Sequence, residues 1–211
     1  MAERLPRLHA VTDDAVLARP GFPAAARAVL ESGGSGVALH LRGPRIGGRV
    51  LFELAETLAR PARETGAALL VNDRVDVALA AGAAGVQLGR RSMRPLEARR
   101  LLGSGSTISC SVGTADEARA ALGEGADFLL AGHVYATASH PGSEGIALAG
   151  LRAIAALGAP TVAIGGVTPE RVAEVRAAGA NGVAAIRAVW DAGDPAAAVA
   201  RFLEALNDAD D

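Results

Sequence analysis

His133 is the side chain best suited to move a proton. It stands in Gly132-His133-Val-Tyr135-Ala-Thr137, a glycine-led stretch rich in hydroxyls. An imidazole titrates near neutral pH, so it can both give and take a proton there. The plainer alternative is a histidine that only hydrogen-bonds its own loop. A second candidate is Gly165-Gly166 ahead of Thr168-Pro169. Glycines let a phosphate approach the backbone amides. Thr as N-cap with Pro at the first helical position predicts a helix start whose dipole favours an anion. Arg42 and Arg187 each offer a planar fork that can clamp an anion. Asn72, Thr137 and Ile186 lie at or just past the ends of apolar runs and complete the candidate substrate-binding set.

The other polar residues divide less cleanly. His40 alternates with Arg42, so both face one side of an extended segment, which leaves open whether that side is interior or helix-facing. His9 is expected to pack at a strand–helix boundary, and His140 to be solvated. Asn72-Asp73-Arg74 reads either as a site or as the N-cap and first turn of a helix. Asp73 and Asp76 lie three apart, but acids are expected in a helix first turn from the dipole alone. No His/Cys spacing suits a transition metal, so no metal is expected. All 21 basic residues are arginines, which leaves no side-chain amine for Schiff-base chemistry.

These residues need a frame, and the chain supplies one by repetition. Small residues and a glycine lead into a short apolar run at positions 31–40, 81–89, 123–132 and 178–186. Each copy reads as a helix stopping on glycine followed by a buried strand. The copies are roughly 50 residues apart, about two strand–helix units. Strands are predicted at 8–11, 37–41, 67–71, 85–88, 107–111, 128–130, 161–164 and 182–186. Helices are predicted between them at 22–32, 48–64, 74–81, 94–102, 115–122, 147–157, 169–178 and 195–207. Strict alternation predicts an α/β fold, a (β/α)8 TIM barrel in one domain over 1–207, with 208–211 a disordered tail. A doubly wound sheet is the rival, but its G-x-G-x-x-G fingerprint after the first strand is missing. In a barrel the loops after the strands carry the chemistry, and the candidates above sit there.

Composition sets bounds. The chain has 211 residues, 50% hydrophobic and 21% charged, enough for one substantial core. A net charge of −2 offers no pull toward nucleic acid or an anionic membrane. The apolar runs are strand-sized and the first residues lack a stretch of signal-peptide length, so a cytoplasmic protein is expected. Cys110 is the only cysteine, which excludes an intrachain disulfide. The outer helices leave room for a homo-oligomer.

Four segments resemble the thiamine phosphate synthase/TenI superfamily: Leu8-His-Ala-Val-Thr-Asp-Asp14, Val71-Asn-Asp-Arg-Val-Asp-Val-Ala-Leu79, Gly132-His-Val-Tyr-Ala-Thr137 and Val162-Ala-Ile-Gly-Gly-Val-Thr168. The resemblance runs in order through all eight units and implies a small phosphate-binding barrel of the thiamine thiazole pathway. Its synthase branch joins a pyrimidine diphosphate to a thiazole phosphate with the help of Mg²⁺. That branch has Gln-x-Arg-x-Lys on the second strand, where this chain has His40-Leu-Arg42-Gly-Pro44. Its Gly-Gln-x-Asp-Met becomes Gly89-Arg-Arg-Ser92-Met93, and its Pro-Thr-x-Thr-Lys becomes Ala136-Thr137-Ala-Ser139-His140. A polyanionic leaving group without those lysines and one metal acid would be poorly stabilised.

The phrase Gly-His-Val-aromatic resembles the TenI thiazole tautomerases, which implies that His133 is the general acid/base. The implied reaction is isomerisation of a carboxythiazole phosphate to its aromatic form, with no cofactor. One departure stands against it: Ser-Val-His-Ser of that branch is Ser111-Val-Gly113-Thr114 here. The small hydroxyl residue usual in the last loop is replaced by Arg187. The expectation is therefore a tautomerase-like isomerase acting on a small phosphorylated thiazole. The alternatives are a divergent synthase, for which alone Mg²⁺ is expected, and a non-catalytic binder of a phosphate ligand that serves regulation.

Overall fold

A computed structural model describes residues 5–137, 142 and 144–209. Eight parallel strands close into a barrel in sequence order. They are β1 (Leu8–Val11), β2 (Val37–Leu41), β3 (Ala68–Asn72), β4 (Gly85–Leu88), β5 (Thr107–Val112), β6 (Phe128–Gly132), β7 (Thr161–Ile164) and β8 (Gly182–Ala185). The ring is closed by β1 against β8, with Leu8 opposite Val183. The helices are α1 (Asp14–Leu17), α2 (Phe22–Gly33), α3 (Gly48–Thr65), α4 (Val75–Ala81), α5 (Pro95–Leu102), α6 (Ala115–Gly123), α7 (Ala147–Ala155), α8 (Val172–Ala177), α9 (Arg187–Trp190) and α10 (Pro195–Asp208). The (β/α)8 architecture read from the repeats is the fold.

The repeat works as its glycines require. Gly82 and Gly179 end their helices at φ 64° and 95°, a left-handed conformation costly for any residue with a Cβ. Gly85 serves strand packing instead. A Cβ there would stand 1.9 Å from the Thr107 carbonyl oxygen, so only glycine lets β4 and β5 run side by side at that point.

Two apolar layers result. The larger lies between the barrel wall and the helices. A smaller one fills the barrel interior with Val11, Ala38, Leu70, Phe128, Leu130, Val162 and Ala184. The interior also holds polar side chains, since His9, His40, Gln87 and Ser109 are all fully buried.

Several boundaries differ from the sequence reading. Helices α1 and α9 leave no mark in the sequence, because four residues are too few to show a helical period. The segment at 169–178 is a 3-10 turn, Pro169–Arg171, followed by the short α8. α10 continues through Asp208, a residue expected in the tail, and Arg7 holds Asn207 there by a 2.9 Å bond to its Oδ1. None of the described helices is long and apolar enough to cross a membrane.

Candidate active site

A cavity of about 1190 Å³ opens at the carboxyl ends of the strands. His133, Arg42, Asn72, Thr137, Gly165, Gly166, Ile186 and Arg187 all line it, though they come from widely separated strand–loop units. Strand alternation explains the convergence. Ala38, His40 and Arg42 point inward from β2 and its end, as do Leu70 and Asn72 from β3.

One side of the mouth is lined by loop amides without hydrogen-bond partners among the described residues. Gly165 and Gly166 take φ 100° and 67°. Their carbonyls are occupied: Tyr135 N donates to Gly165 O at 3.0 Å, and Arg171 Nη1 to Gly166 O at 2.7 Å. The amides of Gly166 and Val167 make no hydrogen bond among the described residues, and both residues line the cavity. Across the adjoining loop, Arg187 and Ala188 open α9 with the unpaired amides of a first turn. Trp190 pins that turn by donating its indole N–H to Val11 O at 2.8 Å. Thr168 is the N-cap and Pro169 opens the turn, as expected. Thr168 makes no side-chain cap bond and the turn after it is 3-10, so the donors are loop amides rather than a long helix dipole.

His133 stands against this corner. A Cβ on Gly165 would meet His133 Cβ at 2.3 Å and Cα at 2.7 Å, so the two loops touch backbone to backbone. Ile146 N donates to His133 O at 2.8 Å, which fixes the loop from its other side. Ser139 and His140 lie outside the described residues.

The far wall, after β2, β3 and β4, is basic. Arg74 is paired with Asp76 at 2.6 Å and Arg90 with Glu117 at 3.0 Å. Arg42 and Arg91 on this wall, and Arg187 at the amide corner, have no carboxylate partner among the described residues, and all three line the cavity. Asp73 caps no helix, contrary to one of its two readings. It sits at φ 63°, and its Oδ1 accepts the Gly89 N–H at 2.8 Å and the Ser92 hydroxyl. Arg74 is the N-cap of α4, without a side-chain cap bond.

Beneath the cavity the barrel interior is polar, with only Ser111 of the following group reaching the cavity lining, and sequence reasoning missed most of it. Gln87 Nε2 donates to Ser111 Oγ at 3.0 Å, while Ser109 Oγ bonds Gln87 Oε1 at 2.5 Å. The signal was Gly85-Val-Gln87-Leu-Gly89, which puts one large polar residue between two glycines on the inward face. His40 lies beneath the floor rather than in the cavity. His9, expected at a strand–helix boundary, is inside the barrel and bonded to His40 at 2.7 Å. Burial holds both imidazoles below their ordinary range, His9 at about 4. Cys110 is buried and its thiol is pushed up to about 11, so it is no nucleophile at neutral pH.

A family profile described as thiamine monophosphate synthase matches residues 8–189. The thiamine-phosphate synthase of Moorella thermoacetica is 44% identical over 176 residues, covering 82% of this chain and 83% of that protein. That of Salinispora arenicola is 41% identical over 207 residues, covering 96% and 98%. Among solved structures, a thiamine phosphate pyrophosphorylase from Pyrococcus furiosus superposes with a TM-score of 0.85 at 33% identity, covering 99% of each chain.

Proposed function

The chain belongs to the thiamine monophosphate synthase family, and we propose that it works in thiamine biosynthesis as a transferase of the synthase type. It joins a pyrimidine diphosphate to a thiazole phosphate. The thiazole nitrogen forms a bond to the pyrimidine methylene carbon, the carbon–oxygen bond breaks, and the electron pair leaves with pyrophosphate. This replaces the isomerase as the leading reading, because the relatives named above are synthases.

The observation that carries it is two sets of hydrogen-bond donors in one cavity, loop amides without partners among the described residues on one side and arginines without a carboxylate partner on the other. The amide corner after β7 and β8 takes the phosphate of one substrate, and Arg42 and Arg91 on the opposite wall take the diphosphate of the other. An isomerase acting on one phosphorylated ring needs only the first. A volume of about 1190 Å³ also exceeds what a single small ligand requires.

The Mg²⁺ that the synthase resemblance implies is not matched by these residues. Asp73 Oδ1 is already engaged by Gly89 N–H and the Ser92 hydroxyl, and Ser92 stands where a second acid is expected. Among the described residues no three His, Cys, Asp or Glu side chains gather to hold a metal. Arginine forks neutralise the departing pyrophosphate instead, each by charge-assisted hydrogen bonds.

One observation favours a second reading, the tautomerase. His133 lies at the cavity wall directly against the amide corner, where an imidazole could shuttle a proton on a ring tethered by its phosphate. Expression in a strain lacking thiamine-phosphate synthase separates the two. Growth without thiamine supports the transferase. Failure to grow, with His133-dependent conversion of the thiazole tautomer followed by NMR, supports the isomerase.

A further inference from the structure

The reaction leaves two buried imidazoles unused, and their proton arrangement constrains the cavity. His9 Nδ1 lies 2.7 Å from His40 Nε2, and His9 Nε2 lies 2.9 Å from the Pro6 carbonyl oxygen. Both rings are fully buried in the barrel interior. Phe128 packs against His9 with centroids 5.2 Å apart, which closes one side of that ring with an apolar neighbour.

The protons follow by elimination. A carbonyl only accepts, so His9 carries its proton on Nε2. In a neutral ring that leaves Nδ1 as a lone pair, and the short contact to His40 then needs the proton on His40 Nε2. His40 Nδ1 is thereby a bare acceptor. It is buried and makes no well-formed hydrogen bond among the described residues, and the side chain that interacts with the His40 ring from the neighbouring strand β3 is the Asn72 amide. Asn72 Oδ1 is likewise buried without a partner, while Asn72 lines the cavity floor. An amide turned with Oδ1 toward His40 Nδ1 would satisfy neither acceptor. The two ends of an amide have the same shape and are told apart by their hydrogen bonds, so exchanging them resolves the conflict.

We infer that the chain Pro6–His9–His40 is a positioning relay that holds Asn72 with its Nδ2 on His40 Nδ1 and its Oδ1 toward the cavity, making Asn72 an acceptor for an N–H or O–H group of the ligand. His9 and His40 touch no substrate; they act through Asn72. The tautomers do not depend on which reaction the site performs. Only the donor group on the ligand rests on the proposed function.

The experiment is a long-range ¹H–¹⁵N correlation spectrum of the ligand-free protein, labelled with ¹⁵N-histidine, at pH 7. Four histidines are present in the chain, and His133→Asn and His140→Asn assign the two outside the relay. The expected result is a protonated Nε2 and a bare Nδ1 on both His9 and His40. Protonation of His40 on Nδ1 overturns the inference whatever the enzyme's activity. Asn72→Asp gives a second reading. A carboxylate only accepts, so the His40 Nδ1 resonance is expected to shift from the bare to the protonated position. A folded variant whose His40 Nδ1 remains bare also overturns it.

Discussion

Substituting Gly165 by alanine tests how closely the β6 and β7 loops approach, on which the placement of His133 depends. Gly165 has φ 100°, where a Cβ costs roughly 1–3 kcal/mol in backbone strain. The added methyl would also stand 2.3 Å from His133 Cβ and 2.7 Å from its Cα, atoms that cannot move without the loop. Overpacking of that kind costs about 1–3 kcal/mol more. Gly103→Ala is the control, because Gly103 has φ 80° and nothing within 4 Å of its would-be Cβ. Both variants carry the strain, but only Gly165→Ala carries the collision. In urea melts Gly165→Ala should lose about 1–3 kcal/mol more than Gly103→Ala, or roughly 2–12 °C in Tm for a domain of this size. Turnover should fall in Gly165→Ala alone. Equal losses in the two variants would show that the loops are not in contact, and the placement of His133 would fail with them.

Other perturbations reach other parts of the molecule. Trp190→Phe removes the donor to the buried Val11 carbonyl and should cost about 1–3 kcal/mol in urea denaturation; it should also loosen α9 and weaken inorganic phosphate binding. Stability should depend on pH through His9. Its folded pKa of about 4 lies below the ordinary 6.5, so between these values the unfolded chain binds the extra proton. Stability from this group is therefore complete above pH 6.5 and is lost as pH falls toward 4, by about 3 kcal/mol, with His40 acting in the same direction. A His9→Gln variant should show a shallower slope over that window in melts at stepped pH. Arg91→Ala should weaken pyrophosphate binding about tenfold or more in calorimetry, and the wild-type affinity should be the same with Mg²⁺ or with EDTA.

Much of the fold is legible in the sequence because glycine punctuation is local. A helix that stops at Gly82 and a strand that opens at Gly85 leave their mark within a few residues, and four such copies spaced about two strand–helix units apart imply the ring. The residues that line the candidate site are legible for the same reason. In a barrel, whatever follows an apolar run stands at the mouth, so Arg42, Asn72, Gly165 and Arg187 can be placed from the chain alone. What stays hidden depends on pairs distant in the chain. His9 and His40 are 31 residues apart, and only the β1–β2 register brings them together. Asp73 reads as a helix acid until Gly89 and Ser92, from the next loop, are seen to occupy it. α9 is four residues long, too short for periodicity, yet it carries the indole that fixes the amide corner of the cavity.

The most direct measurement is to incubate the purified protein with the pyrimidine diphosphate and the thiazole phosphate and to follow both products. A synthase with two anion positions should yield thiamine phosphate and pyrophosphate in equal amounts, with formation lost in Arg91→Ala. Absence of thiamine phosphate, together with aromatisation of the thiazole tautomer by the same preparation, would contradict it and return the site to proton transfer by His133.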